Sequence, residues 1–356
     1  MKARGSANAR GALGVSLPGD NLQDREAATF AAPEPVVHRM THFFLAWLRL
    51  LRLPNHATAV ADVLAGYLVC TGPRPVDWPP AACWTAIAAS LALYAAGMVL
   101  NDVYDVDLDR RERPERPLPS GAIGVATAGR VGYALLATGL LAAVATAWLA
   151  ATPWPAVVGG LLVGAVWFYD RRAKATPLGP AVMGGCRGLN WLLGMTAAGG
   201  PTVSYEWLIP IGMAIYVAGI TLFARDEAGR GVAGRLAAAT LVMVAGLVVA
   251  GAYPWLAANV RTGDHWNVGG PWLTPDRLSM WLMLWTILGG SIVARNLSAI
   301  ATPTPTRMQQ AVGNAIMSII TLDAAIVLAA CGESWTIVVL MLLVPFLVGR
   351  RLASST

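Results

Sequence analysis

"NDVYDVDLDRRERPERPLPSG", residues 101–121, sets four aspartates within eight residues and follows them with four arginines within the next seven. It comes directly after the apolar run ending in Met98-Val99-Leu100, in a chain that elsewhere carries little charge. Of 356 residues, 56% are hydrophobic and 13% charged, with a mean hydropathy of +0.55. Soluble domains carry roughly 25% charged residues. A membrane span needs about 20 largely apolar residues, and ten such runs are present: 55–72, 83–101, 124–149, 154–169, 177–198, 206–224, 233–256, 278–297, 311–331 and 334–349. Their length, and the lack of two-residue alternation, make them helices rather than strands of a barrel. The fold expected is an all-α, polytopic membrane helical bundle.

The placement of the +6 net charge matters more than its size. With the N-terminus in the cytoplasm, the even-numbered turns hold Arg110, Arg111, Arg113 and Arg116, then Arg171, Arg172 and Lys174, then Arg225, Arg230 and Arg235, then Arg307. The opposite side has little beyond Arg74, Arg261 and Arg277. This is the positive-inside pattern, and it orients a multi-pass protein of the inner (cytoplasmic) membrane. The basic balance therefore marks the lipid bilayer as partner, with no nucleic acid. Four cysteines without paired spacing and four scattered histidines suggest neither a disulfide framework nor a zinc site.

Residues 1–40 read as a disordered cytoplasmic tail, rich in small and polar residues and lacking the apolar core of a signal peptide. Residues 41–352 form the membrane domain. "THFFLAWLRLLRLPN", 41–55, suggests an interfacial helix leading into the first span. The external loop 257–276 carries the tryptophans usual at a membrane boundary and is assigned no chemistry.

Asn101, Asp105 and Asp109 fall at i, i+4 and i+8. On a continuing helix they share one face, and at about 1.5 Å per residue they span roughly 12 Å. Asp102 lies one position round and Asp107 points elsewhere. Crowded carboxylates repel unless a cation sits between them, and magnesium bridges carboxylates to substrate phosphates. The arginines of "RRERPERP" supply paired donors for phosphate oxygens. The bland reading is a solvated loop whose acids and bases pair with one another. Against it stands the helical register, which continues a membrane helix.

The segment resembles the first aspartate-rich motif of the UbiA superfamily of intramembrane prenyltransferases, NxxxDxxxD followed by Arg-Pro and Ser-Gly. "RLPN", "KATPLGP", "RDEAG" and "RMQQAVGNAI" extend the resemblance over residues 50–331, and "CRGLNWLLGM" is most similar to the EboC-like branch. The resemblance implies nine core spans around a central cavity, to which this chain adds a tenth. It also implies Mg2+ as cofactor and an isoprenoid diphosphate held on the cytoplasmic side. Carried over, Asn101, Asp105 and Asp109 hold metal and diphosphate, with Asp102 as ligand or base; Arg116 and Lys174 bind the diphosphate. Tyr169 and Lys174 stand one residue further apart than the family's Tyr-x-x-x-Lys. In place of the second motif's Asp-x-x-x-Asp the chain reads Ala224-Arg225-Asp226-Glu227-Ala228, leaving Asp226 and Glu227 as candidate metal ligands or as partners of nearby arginines.

Arg187 and Asn190, at i and i+3 in the fifth span, face a cavity or cradle the diphosphate with Lys174, unless Arg187 snorkels to the surface. Asn55 and Asp62 share a face of the first span and suit an acceptor pocket or a buried structural bond; Asp323 reads as structural. Phe168, Trp191, Tyr216 and Phe223 are candidates to face an allylic cation, or simply pack. The expected reaction is transfer of a prenyl group to a hydrophobic, aromatic or other electron-rich acceptor. The alternative is a non-catalytic prenyl-lipid binding or precursor-export protein, motivated by Ala224 and Ala228. A CDP-alcohol phosphotransferase is disfavoured, because no Asp-Gly-x-x-Ala-Arg precedes the aspartates.

Overall fold

The computed structural model describes residues 36–72, 79–225, 232–259 and 274–354. Asp226, Glu227, Ala228, the tail as far as residue 35 and most of the loop 257–276 lie outside the described residues. By their contacts the residues group as 1–42 and 43–356, and every side chain of the site belongs to the second group. The described secondary structure is helical, with no strand.

Helix α1 (Val36–Leu51) begins inside the segment expected to be tail. It stops where Arg52 takes the left-handed conformation (φ 48°, ψ 47°) and Pro54 follows in the short 3-10 turn Leu53–Asn55. Helix α2 (His56–Thr71) ends on Gly72, whose φ of 66° suits a residue without a Cβ. Helix α3 (Ala81–Tyr104) runs to the acidic segment and α4 (Val106–Glu112) carries it on. Then come α5 (Val125–Leu149), α6 (Trp154–Phe168) with a π-helical turn at Tyr169–Ala173, and α7 (Gly179–Ala197). After them run α8 (Leu208–Ala224), α9 (Ala233–Asn259), α10 (Pro275–Ala301) and α11 (Pro305–Cys331).

Among the described residues nine helices close a ring: α2 packs on α3, α3 on α5, and so on through α6, α7, α8, α9, α10 and α11, which returns to α2. Helix α7 also crosses to α2. Six helices are long and apolar enough to cross a bilayer by length and composition. Large apolar side chains such as Leu141, Trp148, Leu241, Val248, Met283 and Ile287 point outward, as lipid-facing residues do. Lipid tails are as apolar as leucine, so close van der Waals packing holds such helices together, favoured by small residues at crossings. Gly194 of α7 lies on the Val63 backbone of α2, and Gly246 of α9 on the Tyr216 backbone of α8; a Cβ at either would collide.

The run 334–349, expected as a tenth span, is instead two short helices, α12 (Glu333–Leu340) and α13 (Leu343–Ser354). Pro345 accounts for the break. It has no N–H for the carbonyl four residues back, Met341, and its ring crowds that carbonyl.

Candidate active site

The ring encloses a cavity of about 390 Å3, within the range of small-molecule sites. Its wall is mostly apolar, with Leu93, Leu162, Val166, Ile220, Ile316 and Ile319 among the lining residues. Polar side chains gather at two ends: Arg52, Asn101, Tyr169 and Asp170 at the mouth, and Ser90, Arg187 and Asn190 at the floor.

At the mouth the helical register of the acidic segment holds. Asp105 N donates to Asn101 O at 3.0 Å and Asp109 N to Asp105 O at 2.8 Å. Asp105 (φ −91°, ψ 0°) nevertheless bends the chain between α3 and α4. The side chains then part into two groups. In the first, Lys174 Nζ donates to Asn101 Oδ1 at 3.2 Å and pairs with Asp105, while Asn101 Nδ2 donates to Asp170 Oδ1 at 3.3 Å. Asp170 is buried and its Oδ2 has no partner. Past the end of α6, burial pushes its carboxyl up to about 7, against the pull of the Asn101 amide and the Lys174 ammonium.

In the second group, Asp102 pairs with Arg52 at 2.8 Å and lies 3.8 Å from Arg116. Arg116 Nη1 reaches both oxygens of Asp109, at 3.0 and 2.8 Å. The side chains expected to share a face thus have different partners: Asn101 and Asp105 bond to Lys174, and Asp109 to Arg116. Asp102, expected as ligand or base, is held between two guanidinium groups; like Asp105 and Lys174 it is absent from the cavity lining, which Asn101 and Asp170 reach. Asp107 pairs with Arg110 in the open.

The extra residue between Tyr169 and Lys174 has a direct structural counterpart. Lys174 N donates to Tyr169 O, five residues back, at 3.0 Å, which is π-helical hydrogen bonding. The widened turn keeps the two residues one above the other, with Tyr169 on the cavity wall and Lys174 on Asn101. Arg225 ties down the following loop by donating to Lys174 O at 3.0 Å and to Thr176 O.

At the floor, Arg187 Nη1 pairs with Asp62 Oδ2 at 3.0 Å. Asn190 Nδ2 donates to the same oxygen at 2.8 Å and to Ala59 O at 3.0 Å, and Ser90 Oγ donates to Asn190 Oδ1 at 2.6 Å. Arg187 does not snorkel; Asp62 holds its head inside the bundle. Asn55 lines the cavity near the mouth, whereas Asp62 stands behind Arg187 and is absent from the lining. Phe168, Trp191, Tyr216 and Phe223 are also absent from the lining: Phe168 is exposed, Trp191 and Phe223 are buried in packing, and the Tyr216 hydroxyl donates to Ala315 O. The rings on the wall belong to Tyr94 and Tyr169.

Magnesium takes hard oxygen donors. Among the described residues no three His, Cys, Asp or Glu side chains are gathered closely enough to hold a metal. The amide oxygen of Asn101, the Asp105 carboxylate and the orphaned Asp170 oxygen are nevertheless the right donors, and an ammonium already binds two of them. The residues fit the ion in chemistry.

A helical ring around an apolar chamber, with carboxylates and an ammonium at one end, is the build of a membrane protein for a greasy molecule with a charged head. The model of the UbiA prenyltransferase family matches residues 59–307. Over 155 residues the chain is 34% identical to the digeranylgeranylglyceryl phosphate synthase of Methanoculleus marisnigri, covering 43% of this chain and 52% of that one. It therefore spans about half the length of that relative. A solved structure of digeranylgeranylglyceryl phosphate synthase superposes with a TM-score of 0.58 at 19% identity, over 82% of this chain and 99% of the other. A UbiA homolog from Archaeoglobus fulgidus bound to DMAPP and Mg2+ superposes with a TM-score of 0.53 at 14% identity, over 78% and 99%. The chain belongs to the UbiA prenyltransferase family.

Proposed function

We propose that the protein transfers a prenyl group from an isoprenoid diphosphate to an electron-rich acceptor inside the membrane. The observation that carries this reading is the joining of Asn101 and Asp170, which line the mouth of an apolar cavity, to Asp105 and Lys174 beside them. The diphosphate lies at the mouth and the prenyl chain along the Leu93, Leu162, Val166 and Ile316 wall. Asn101, Asp105 and Asp170 would hold Mg2+, with Asp226 and Glu227 as further candidate ligands. When bound, the ion supplies positive charge to the departing diphosphate.

Lys174 stabilises the same charge, and it is preorganised by the π turn and by Arg225. The C1–O bond breaks with its electron pair going to the diphosphate, an electron-rich atom of the acceptor bonds to C1, and the proton that this atom then sheds passes to the released diphosphate. The dry wall keeps water from the allylic centre, with the faces of Tyr94 and Tyr169 available to it. Asp102 acts as a positioning residue for Arg52, which lines the mouth, and Arg116 keeps Asp109 in place. The charge asymmetry supports a mouth on the cytoplasmic side of the inner membrane. The likeness of "CRGLNWLLGM" to the EboC-like branch supports a place near that branch within the family.

Prenyl-lipid carriage without chemistry is the second reading, favoured by Ala224 on the cavity wall where many relatives carry an aspartate. The two separate in one assay. Purified protein in lipid nanodiscs is given geranyl, farnesyl or geranylgeranyl diphosphate, Mg2+ and a lipid extract of its host. Transfer releases inorganic diphosphate and creates a prenylated product detectable by mass spectrometry; a carrier binds the lipid and releases none.

A further inference from the structure

Where α3, α5 and α6 end on the mouth side, a group of exposed aromatic and basic side chains takes no part in lining the cavity. Tyr104, the last residue of α3, and Tyr133 of α5 share a hydroxyl–hydroxyl hydrogen bond at 2.7 Å, and both are exposed. Arg130 is exposed three residues before Tyr133 on α5, so the two share a face. Arg171 of the π turn lies over the Trp167 ring, 5.0 Å from its centre, and its charge reaches the Tyr104 hydroxyl. Both Trp167 and Arg171 are exposed.

The depth of this patch is that of a lipid headgroup. Trp148, near the far end of α5, and Trp154, the first residue of α6, are exposed and mark the opposite membrane boundary. Arg130 stands eighteen residues from Trp148, and Arg171 seventeen from Trp154. At about 1.5 Å per residue those separations are about 27 and 25 Å, close to the thickness of the hydrocarbon layer, about 30 Å. The long arginine side chains reach the remaining distance. Between the two boundaries Leu141, Val144, Val157 and Leu161 are exposed, an apolar surface for acyl chains.

Neither arginine is neutralised by a carboxylate. Among the described residues no ion pair uses Arg130 or Arg171. Arg130 makes only bonds of 3.4 Å to Ala126 O and Thr127 Oγ1 of its own helix. Asp170, the acid next to Arg171, is turned inward to Asn101. Trp167 takes one face of the Arg171 guanidinium and leaves its edge of N–H donors for phosphate oxygens. A zwitterionic phospholipid brings an ammonium with its phosphate, which two uncompensated guanidinium groups repel. An anionic phospholipid brings only the negative charge.

We propose that the face formed by Tyr104, Arg130, Tyr133, Trp167 and Arg171 binds the headgroup of an anionic phospholipid in the leaflet on the mouth side, with Arg130 and Arg171 holding its phosphate. The π turn is then used on both sides, Lys174 toward Asn101 and Arg171 toward the lipid. The site is separate from the cavity and holds for a transferase and for a carrier alike.

The test titrates the full chain in detergent with dioctanoyl phosphatidylglycerol and, separately, with dioctanoyl phosphatidylcholine. Affinities are read from the rise in unfolding temperature with lipid concentration. The wild type is expected to bind the anionic lipid at least about tenfold more tightly than the zwitterionic one. The double variant Arg130→Gln/Arg171→Gln is expected to lose that preference. A second double variant, Arg295→Gln/Arg307→Gln, removes the same charge from exposed positions of α10 and α11 on the same side and is expected to keep it. Both lipids are compared on the same protein, so a change in a variant's own stability cancels. No preference in the wild type, a preference left intact in Arg130→Gln/Arg171→Gln, or an equal loss in the second double variant would each overturn the proposal.

Discussion

Lys174 donates its backbone N–H to the carbonyl of Tyr169, five residues earlier, at 3.0 Å. That one bond brings a lysine beyond the end of α6 to Asn101 and Asp105, so the length of the turn is a functional parameter. Deleting Arg172 leaves Tyr-x-x-x-Lys, and an ordinary α-turn then carries the lysine to the same face. Transfer activity is expected to stay within about tenfold of wild type. Inserting an alanine after Arg172 swings Lys174 round by about 100° and is expected to cost at least about a hundredfold. Diphosphate release by the two length variants, compared at equal membrane expression, checks this.

Asp170 is the residue whose importance the fold raises most. Its Oδ1 accepts from Asn101 and its Oδ2 is buried without a partner. Asp170→Asn is expected to weaken Mg2+-dependent binding of a prenyl diphosphate by at least about tenfold, close to the effect of Asp105→Asn. Titrations of donor at fixed Mg2+ measure it. An Asp170→Asn protein with unchanged donor affinity would put Asp170 outside the binding set.

Asp109 and Arg116 form a half-buried pair with both carboxylate oxygens engaged. Hydrogen bonds to charged groups contribute about 1.5–3 kcal/mol. Asp109→Asn and Arg116→Gln are therefore expected each to lower stability, with the double variant little worse than either single one. A coupling energy of about 2 kcal/mol in a double-mutant cycle of detergent unfolding is the outcome sought. Additive effects would show that the pair contributes nothing as a pair.

The α2–α7 crossing tolerates no extra volume. A Cβ at Gly194 would meet the Val63 carbonyl and Cα. Gly194→Ala is expected to cost about 1–3 kcal/mol, while Gly185→Ala, where nothing lies within 4 Å, costs nothing measurable. Comparing the unfolding temperatures of the two variants tests how closely these helices pack.

The bundle was legible because apolar runs of span length and a one-sided distribution of arginine are bulk signals. Of the candidate mouth, the helical spacing of Asn101 and Asp105 survives in the structure, and Lys174 lies against both. Which base each carboxylate pairs with was not legible, since spacing alone does not say that Arg116 bonds to Asp109. Asp170, flanked by Tyr169 and two arginines, has no spacing that sets it apart in the sequence. The one-residue excess before Lys174 was its only trace, and a π turn is what that excess becomes. Tyr94 was hidden for another reason: within an apolar helix nothing distinguishes a ring on a cavity wall from one in packing. In the run 334–349, hydropathy outweighed Pro345, which divides it.

The central claim is that the mouth binds the diphosphate of a prenyl donor through Asn101, Asp105, Asp170 and Lys174. The most direct measurement is binding of radiolabelled geranylgeranyl diphosphate to the purified protein, with and without Mg2+, in wild type and Lys174→Met. The account predicts saturable, Mg2+-dependent binding by the wild type and a loss of at least about tenfold in the variant. Donor binding that ignores both Mg2+ and Lys174 would contradict it.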